Sequence, residues 1–96
     1  MKLLPTIIQN NKKKILMLGW SNKKTIKLSI KIGYSVFFSR KRNKLWIKGE
    51  KSKNFQIIKK IYKDCDNDSY LFIVIQVNNK TCHKNKKSCF FKCLKN

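Results

Sequence analysis

Ser21-Asn22-Lys23-Lys24-Thr25-Ile26-Lys27-Leu28-Ser29-Ile30-Lys31-Ile32-Gly33 can be read as a helix or as a strand, and the choice decides whether this chain contains a helix. Ser21 and Asn22 are N-cap residue types, and Gly33 is a good C-terminal stop. Ile26, Leu28, Ile30 and Ile32 alternate with polar residues, which is the period of a strand. Caps favour a helix, period favours a strand, and the residues alone leave both open. Outward from this segment the chain reads as β. Residues 3–9 and 15–20 form two strands, with Asn10-Asn11-Lys12-Lys13-Lys14 as the hairpin connection. Residues 36–39 and 45–48 form two more, joined through the basic Arg40-Lys41-Arg42-Asn43. Residues 55–62 are apolar enough for another strand, and residues 70–77 are almost continuously apolar and β-branched, which predicts a buried strand. From Asn78 the tail is polar and cysteine-bearing until Phe90-Phe91. No internal repeat and no domain boundary interrupts residues 1–96, so one compact domain is expected.

A chain of 96 residues with 42% hydrophobic content can bury one modest core. A domain this small and this rich in β pattern would gain from dimerisation. No stretch is long and apolar enough for a transmembrane helix. The start, Met1-Lys2-Leu3-Leu4-Pro5, is only loosely like a signal peptide: its apolar part is short, Pro5 interrupts it and no small-residue cleavage site follows. A cytoplasmic protein is therefore expected, and four cysteines in that compartment point to metal or catalysis before disulfides. The net charge of +20 invites a nucleic-acid reading. Only Arg40 and Arg42 among the 24 basic residues are arginine, however, and the lysines run along the whole chain. That is the pattern of compositional drift toward lysine on solvated faces.

Three of the four acidic residues stand together in Asp64-Cys65-Asp66-Asn67-Asp68. Carboxylates so close repel one another unless a cation holds them. An extended run would put Asp64, Asp66 and Asp68 on one face and Cys65 on the other, hard oxygen ligands against a soft thiolate. It would also spread Asp64 and Asp68 over roughly 13 Å, too far for one small ion, so a bend or bridging water is expected. The run is not an EF-hand loop: the sixth position is Ser69 and the twelfth Ile75, where glycine and glutamate are needed. A magnesium-type oxygen site is the sharper reading; carboxylates paired with lysines are the plainer one.

Cys65, Cys82 and Cys89 lie 17 and 7 residues apart, which is not a CxxC ribbon. Free cysteines are common in cores. Thr81-Cys82-His83-Lys84 and Lys87-Ser88-Cys89 are polar stretches, better suited to metal ligands. Cys93 is either a fourth ligand or a packed residue beside Leu94. Four ligands would make a closed structural zinc site; three leave a position open for water. His83 is the only histidine, placed beside a candidate ligand and so suited to proton transfer or orientation at the metal. In Trp46-Ile47-Lys48-Gly49-Glu50, Trp46 fits either a base-stacking role or core packing, and core packing is the simpler of the two. Gly49 would let backbone approach a ligand.

Taken together these stretches resemble the phosphoribosyl-AMP cyclohydrolases, the third enzyme of histidine biosynthesis. The resemblance covers nearly the whole chain. It is carried by Leu4-Pro5 with Ile8-Gln9, Leu16-Met17-Leu18-Gly19-Trp20 with Asn22, Phe37-Phe38-Ser39-Arg40, Leu45-Trp46-Ile47-Lys48-Gly49-Glu50, and Ser52 with Asn54. The most specific parts are the Asp64–Asp68 run and Thr81-Cys82-His83-Lys84 with Ser88-Cys89-Phe90. The chain looks most like the cyclohydrolase half of the fused cyclohydrolase–pyrophosphohydrolase enzymes, and the pyrophosphohydrolase half is not expected in it. The resemblance implies a mainly β fold of antiparallel sheets with one short helix near 22–32, the alternative being α+β. It implies a homodimer with zinc on Cys65, Cys82 and Cys89 shared between subunits, and magnesium on Asp64, Asp66 and Asp68. It implies hydrolytic opening of the N1–C6 bond of phosphoribosyl-AMP by a water activated at zinc, with His83 as proton partner. Arg40, Arg42, Trp46, Lys48 and Glu50 would complete the substrate pocket. Where the family pattern has glycine, this chain has Lys53 and Asn85, and Asn79-Lys80 replaces Gly-Pro before Thr81. A small zinc-stabilised basic nucleic-acid-binding module is the rival reading, opposed by the aspartate run, which would repel phosphates. A degenerate structural subunit is a third. No membrane partner is expected.

Overall fold

The computed structural model describes residues 2–96. Its elements in order are β1 (Leu4–Asn10), β2 (Ile15–Ser21), α1 (Lys23–Ile32), β3 (Val36–Ser39), β4 (Lys44–Ile47), β5 (Gln56–Lys63) and β6 (Tyr70–Gln76), followed by a 3-10 turn, Val77–Asn79. The fold is mainly β with one helix. Four strands form one sheet in the order β2-β1-β6-β5, and β3 pairs with β4 in a second, two-stranded sheet. Neighbours are antiparallel except β1 and β6, which run parallel. Among the described residues no helix is long and apolar enough to cross a membrane.

Residues 23–32 are helical, so the caps outweigh the period-two pattern. The Asn22 side chain accepts from the Thr25 N–H at 2.9 Å while Thr25 Oγ1 accepts from the Asn22 N–H at 3.0 Å, a complete capping box. Gly33 closes the other end at φ 79, its N–H donating to the Ser29 carbonyl. The helix turns small hydroxyl residues inward: Thr25 and Ser29 are fully buried, while Ile30 is 67% exposed. Ser29 Oγ accepts from the Val36 N–H at 3.0 Å and so pins the helix to β3. Ser21, the other cap candidate, instead shares a 2.6 Å hydroxyl pair with Thr6.

The core is formed by Ile8, Leu16, Met17, Phe37, Phe72 and Val74, with Ile26, Trp46, Ile58, Ile61 and Tyr70 packed against it. Gly19 sits where a Cβ would come within 2.7 Å of the Phe37 ring, so only glycine lets the two sheets approach this closely. β6 corrects the expectation of a buried strand. It is central, but only Phe72, Val74 and Gln76 are buried; Leu71 and Ile73 are half-covered and Ile75 is exposed. Among the described residues, no layer covers its second apolar face.

Candidate functional site

The tail is folded back onto β2 by its own polar groups. Cys89 N–H donates to the Leu16 carbonyl at 2.7 Å, and Ser88 Oγ donates to the Ile15 carbonyl at 2.8 Å. The N–H groups of Thr81 and Cys82 both donate to the Lys86 carbonyl, and Asn85, at φ 61, turns the chain between them. This closed loop sets the Cys82 and Cys89 thiols against each other. Cys82 is buried although its neighbours in sequence are polar; the folding of the loop, more than the local composition, covers it.

Lys48, one residue beyond β4, reaches the same place. Its Nζ donates to the Thr81 carbonyl at 2.6 Å and faces both thiols. Burial pushes the Lys48 ammonium down, opposed by Cys89 and Cys82. Burial pushes the Cys89 thiol up, reinforced by Cys82 and opposed by Lys48. Two thiols stand beside one half-buried ammonium; a metal ion bound here would supply the further positive charge that both need to be held as thiolates. Thr81 is held from below: its hydroxyl donates to Gln76 Oε1 at 2.9 Å, and Gln56 Nε2 donates to the same oxygen at 2.9 Å. Gln76 Nε2 in turn donates to the Asn54 and Phe55 carbonyls. This buried glutamine relay is absent from the residues expected of the site; lone glutamines inside strands carry no spacing signal.

A cleft runs from the lysine along β4. Its inner lobe is lined by Trp46, Lys48, Glu50 and His83, and its outer lobe by Trp20, Arg40 and Lys41, with Arg42 and Trp46 lining both. Of the five expected pocket residues, Arg42, Trp46, Lys48 and Glu50 line the inner lobe with His83, and Arg40 lines the outer lobe. Trp46 packs on Phe37, ring centroids 5.4 Å apart, and also walls the cleft. Gly49 lines the inner lobe and, at φ 92, lies against the chain's own Asn54–Phe55 backbone, where a Cβ would stand 2.6 Å from backbone atoms. Trp20, under the Arg40 guanidinium, is a wall residue that was not among those expected.

The aspartate run is elsewhere. It forms the turn between β5 and β6, bent as expected. Asp64 Oδ1 accepts from the N–H groups of Asp68 and Ser69, and the Asp64 N–H donates to the Ser69 carbonyl. Hydrogen bonding with Asp68, side chain first and then backbone, and with Ser69 lowers Asp64 to about 2; the same pairing raises Asp68. Asp64 thus closes the turn, a role not expected for it, while Asp66 accepts only from the Cys65 thiol, at 3.3 Å. The loop precedes Tyr70 and the cysteine pair follows Gln76, so the whole of β6 lies between them in the chain. Among the described residues no three Cys, His, Asp or Glu side chains converge on a metal position. Cys93 is exposed, as is Leu94 beside it, so packing does not account for this thiol within the chain.

Residues 17–91 match the family model for phosphoribosyl-AMP cyclohydrolase. The chain belongs to the phosphoribosyl-AMP cyclohydrolase family. It is 48% identical over 94 residues to the phosphoribosyl-AMP cyclohydrolase of Listeria innocua serovar 6a, covering 97% of this chain and 89% of that protein. It is 47% identical over 93 residues to the enzyme of the same name from Ruthia magnifica, covering 96% of this chain and 74% of that one. The histidine biosynthesis bifunctional protein of Helicobacter hepaticus is 46% identical over 92 residues, which are 95% of this chain and 39% of that protein. Lys48, His83, Cys82 and Cys89 all fall inside the segment that this cyclohydrolase family model matches.

Proposed function

We propose that this chain hydrolyses phosphoribosyl-AMP in histidine biosynthesis, opening the purine between N1 and C6. The site would be built from two copies, with Cys82 and Cys89 of one and Cys65 of the other holding zinc. The observation that carries this reading is the pairing of Cys82 with Cys89 beside Lys48 and the His83 cleft, with Cys65 at the opposite end of β6. Two soft donors beside an open cleft fit zinc, and they need a third that the same chain does not bring. A second copy is also what the bare sheet face calls for. Ile7, Leu18, Ile57, Tyr62 and Ile75 are all exposed, and strand pairing sets them on the side of the sheet away from the core.

Zinc, when bound, supplies the Lewis acid that makes water nucleophilic near neutral pH. The chain's own residues do the rest. Trp46 offers a flat face to the purine, and Lys48 fixes the Cys82 loop through the Thr81 carbonyl. The N1 substituent already makes C6 electrophilic. Water adds its oxygen to C6 and gives up a proton to His83, the imidazole on the cleft wall. The N1–C6 bond then breaks, N1 takes the first proton back from His83, and the second proton of the water passes from the C6 hydroxyl to the exocyclic nitrogen, which leaves C6 as the carboxamide. Asp66 and Asp68 would hold magnesium at the β5–β6 turn, with Asp64 shaping the turn as well as contributing a carboxylate. The reaction would run in the cytoplasm, where thiols stay reduced. The test is turnover of phosphoribosyl-AMP by purified protein of known zinc content. Ring-opened product in proportion to zinc is expected, and zinc-replete protein that leaves the substrate intact would overturn the reading.

A further inference from the structure

Both lobes of the cleft are basic, but they differ in what accompanies the cations. The inner lobe sets Glu50 and His83 among Arg42, Lys48 and Lys51. The outer lobe, a space of about 480 Å³, is lined by three cations, Arg40, Lys41 and Arg42, and by no carboxylate. The turn that carries them is ordered, and Arg40 is held by its side chain as well. They sit on the β3–β4 turn, where Ser39 Oγ accepts from the Arg42 N–H at 3.1 Å and Asn43 takes φ 54. The Arg40 guanidinium lies 4.1 Å from the centroid of the Trp20 ring, a cation–π contact that orients its flat face. Arg40 and Arg42 are also the only arginines in a chain with 24 basic residues. A chain that uses lysine on its solvated faces keeps the forked, bidentate donor at two positions, and both line this cleft.

The substrate named under the proposed function carries two phosphate monoesters, one on the AMP ribose and one on the ribose attached to N1. Its reacting C6 belongs at the inner lobe beside His83, and Glu50 there is the one carboxylate that lines either lobe. A phosphate at some distance from C6 therefore suits the outer lobe. We propose that the Arg40–Lys41–Arg42 turn is the subsite for one of these two ribosyl phosphates, and that Trp20 is a positioning residue that holds Arg40 ready for it. This rests on the cyclohydrolase reading for the identity of the ligand, but the subsite can be tested apart from turnover.

The experiment is calorimetric binding of AMP, ribose 5-phosphate and adenosine to the purified protein and to Arg40→Gln, Arg40→Lys, Trp20→Leu and Trp20→Phe. Arg40→Gln should weaken at least one of the two phosphate esters about ten-fold or more, since it removes a charge-assisted pair. Adenosine, which has no phosphate, should bind unchanged. Arg40→Lys keeps the charge without the fork and should recover only part of the affinity. Trp20→Leu should cost about three- to five-fold on the same ester, and Trp20→Phe, which keeps a ring under Arg40, should restore it. With phosphoribosyl-AMP the same variants should raise KM and leave kcat nearly unchanged. Wild-type protein that binds neither ester, esters indifferent to Arg40→Gln, or an equal loss for adenosine would each overturn the subsite. Protein that fails to turn over phosphoribosyl-AMP would overturn the proposed function, while a selective loss of ester binding in Arg40→Gln would still support the subsite.

Discussion

At the scale of single residues, the departures from the family pattern fall where the backbone is least forgiving. Lys53 has φ 67, Asn79 φ 52 and Asn85 φ 61. Asparagine tolerates that region, and lysine, with its ordinary Cβ, does so at a cost. The Lys53 N–H nevertheless donates to the Gly49 carbonyl at 2.7 Å, so the turn is kept with some strain. Lys53→Gly should stabilise the protein by about 0.5–1 kcal/mol, the relief of strain exceeding the added freedom of the unfolded chain. Urea unfolding measures this, and a lower midpoint would contradict it. The aspartates divide by role in the same way. Asp66 takes no part in closing the turn, so Asp66→Asn should change stability by less than about 0.5 kcal/mol yet sharply lower turnover and its response to added magnesium. An unchanged magnesium titration would remove Asp66 from the metal site.

At the scale of elements, the helix shows what a hydrophobic pattern can and cannot reveal. The side of α1 that faces the protein is made by Thr25 and Ser29, next to the cap Asn22. Counting apolar residues misses that face, and the alternating Ile26, Leu28, Ile30 and Ile32, half of them exposed, suggest a strand. The caps were legible because capping is local chemistry; the docking was not, because Ser29 bonds to Val36 across a turn. The six strands were legible within a residue or two of their ends from alternation and turn residues. The one-sided burial of β6 was not, since an uncovered apolar face and a covered one read alike. Ser29→Ala should cost about 1–3 kcal/mol, because it leaves the buried Val36 N–H without its acceptor. A loss below about 0.5 kcal/mol in thermal or urea unfolding would show that the contact does not hold the helix.

At the scale of the whole molecule, charge and assembly are the properties to test. Lys12, Lys13, Lys14, Lys23 and Lys24 are all exposed and line neither lobe of the cleft. Replacing them with glutamine should leave turnover nearly unchanged while lowering the net charge from +20 to +15, five lysines each losing one charge. A large loss in a folded protein would mean that the basic surface has a role of its own. The cleft residues were legible as a set, because Arg40 to Glu50 lie on one hairpin and the segment just after it. The separation of Cys65 from Cys82 and Cys89 was not legible from spacing; it follows from the hairpin turn standing at one end of β6 and the cysteine loop at the other. A site shared between copies makes a demand that no single-chain site makes. Cys65→Ser and Cys89→Ser should each lose zinc and turnover, while Cys93→Ser should keep both. The most direct measurement is the turnover of phosphoribosyl-AMP after the two inactive variants are unfolded together and refolded as a mixture. The mixture should regain about a quarter of wild-type activity, since half of the dimers are mixed and each mixed dimer holds one intact site of two. A mixture as inactive as its parents, or a Cys65→Ser protein active by itself, would contradict a zinc site built from two copies.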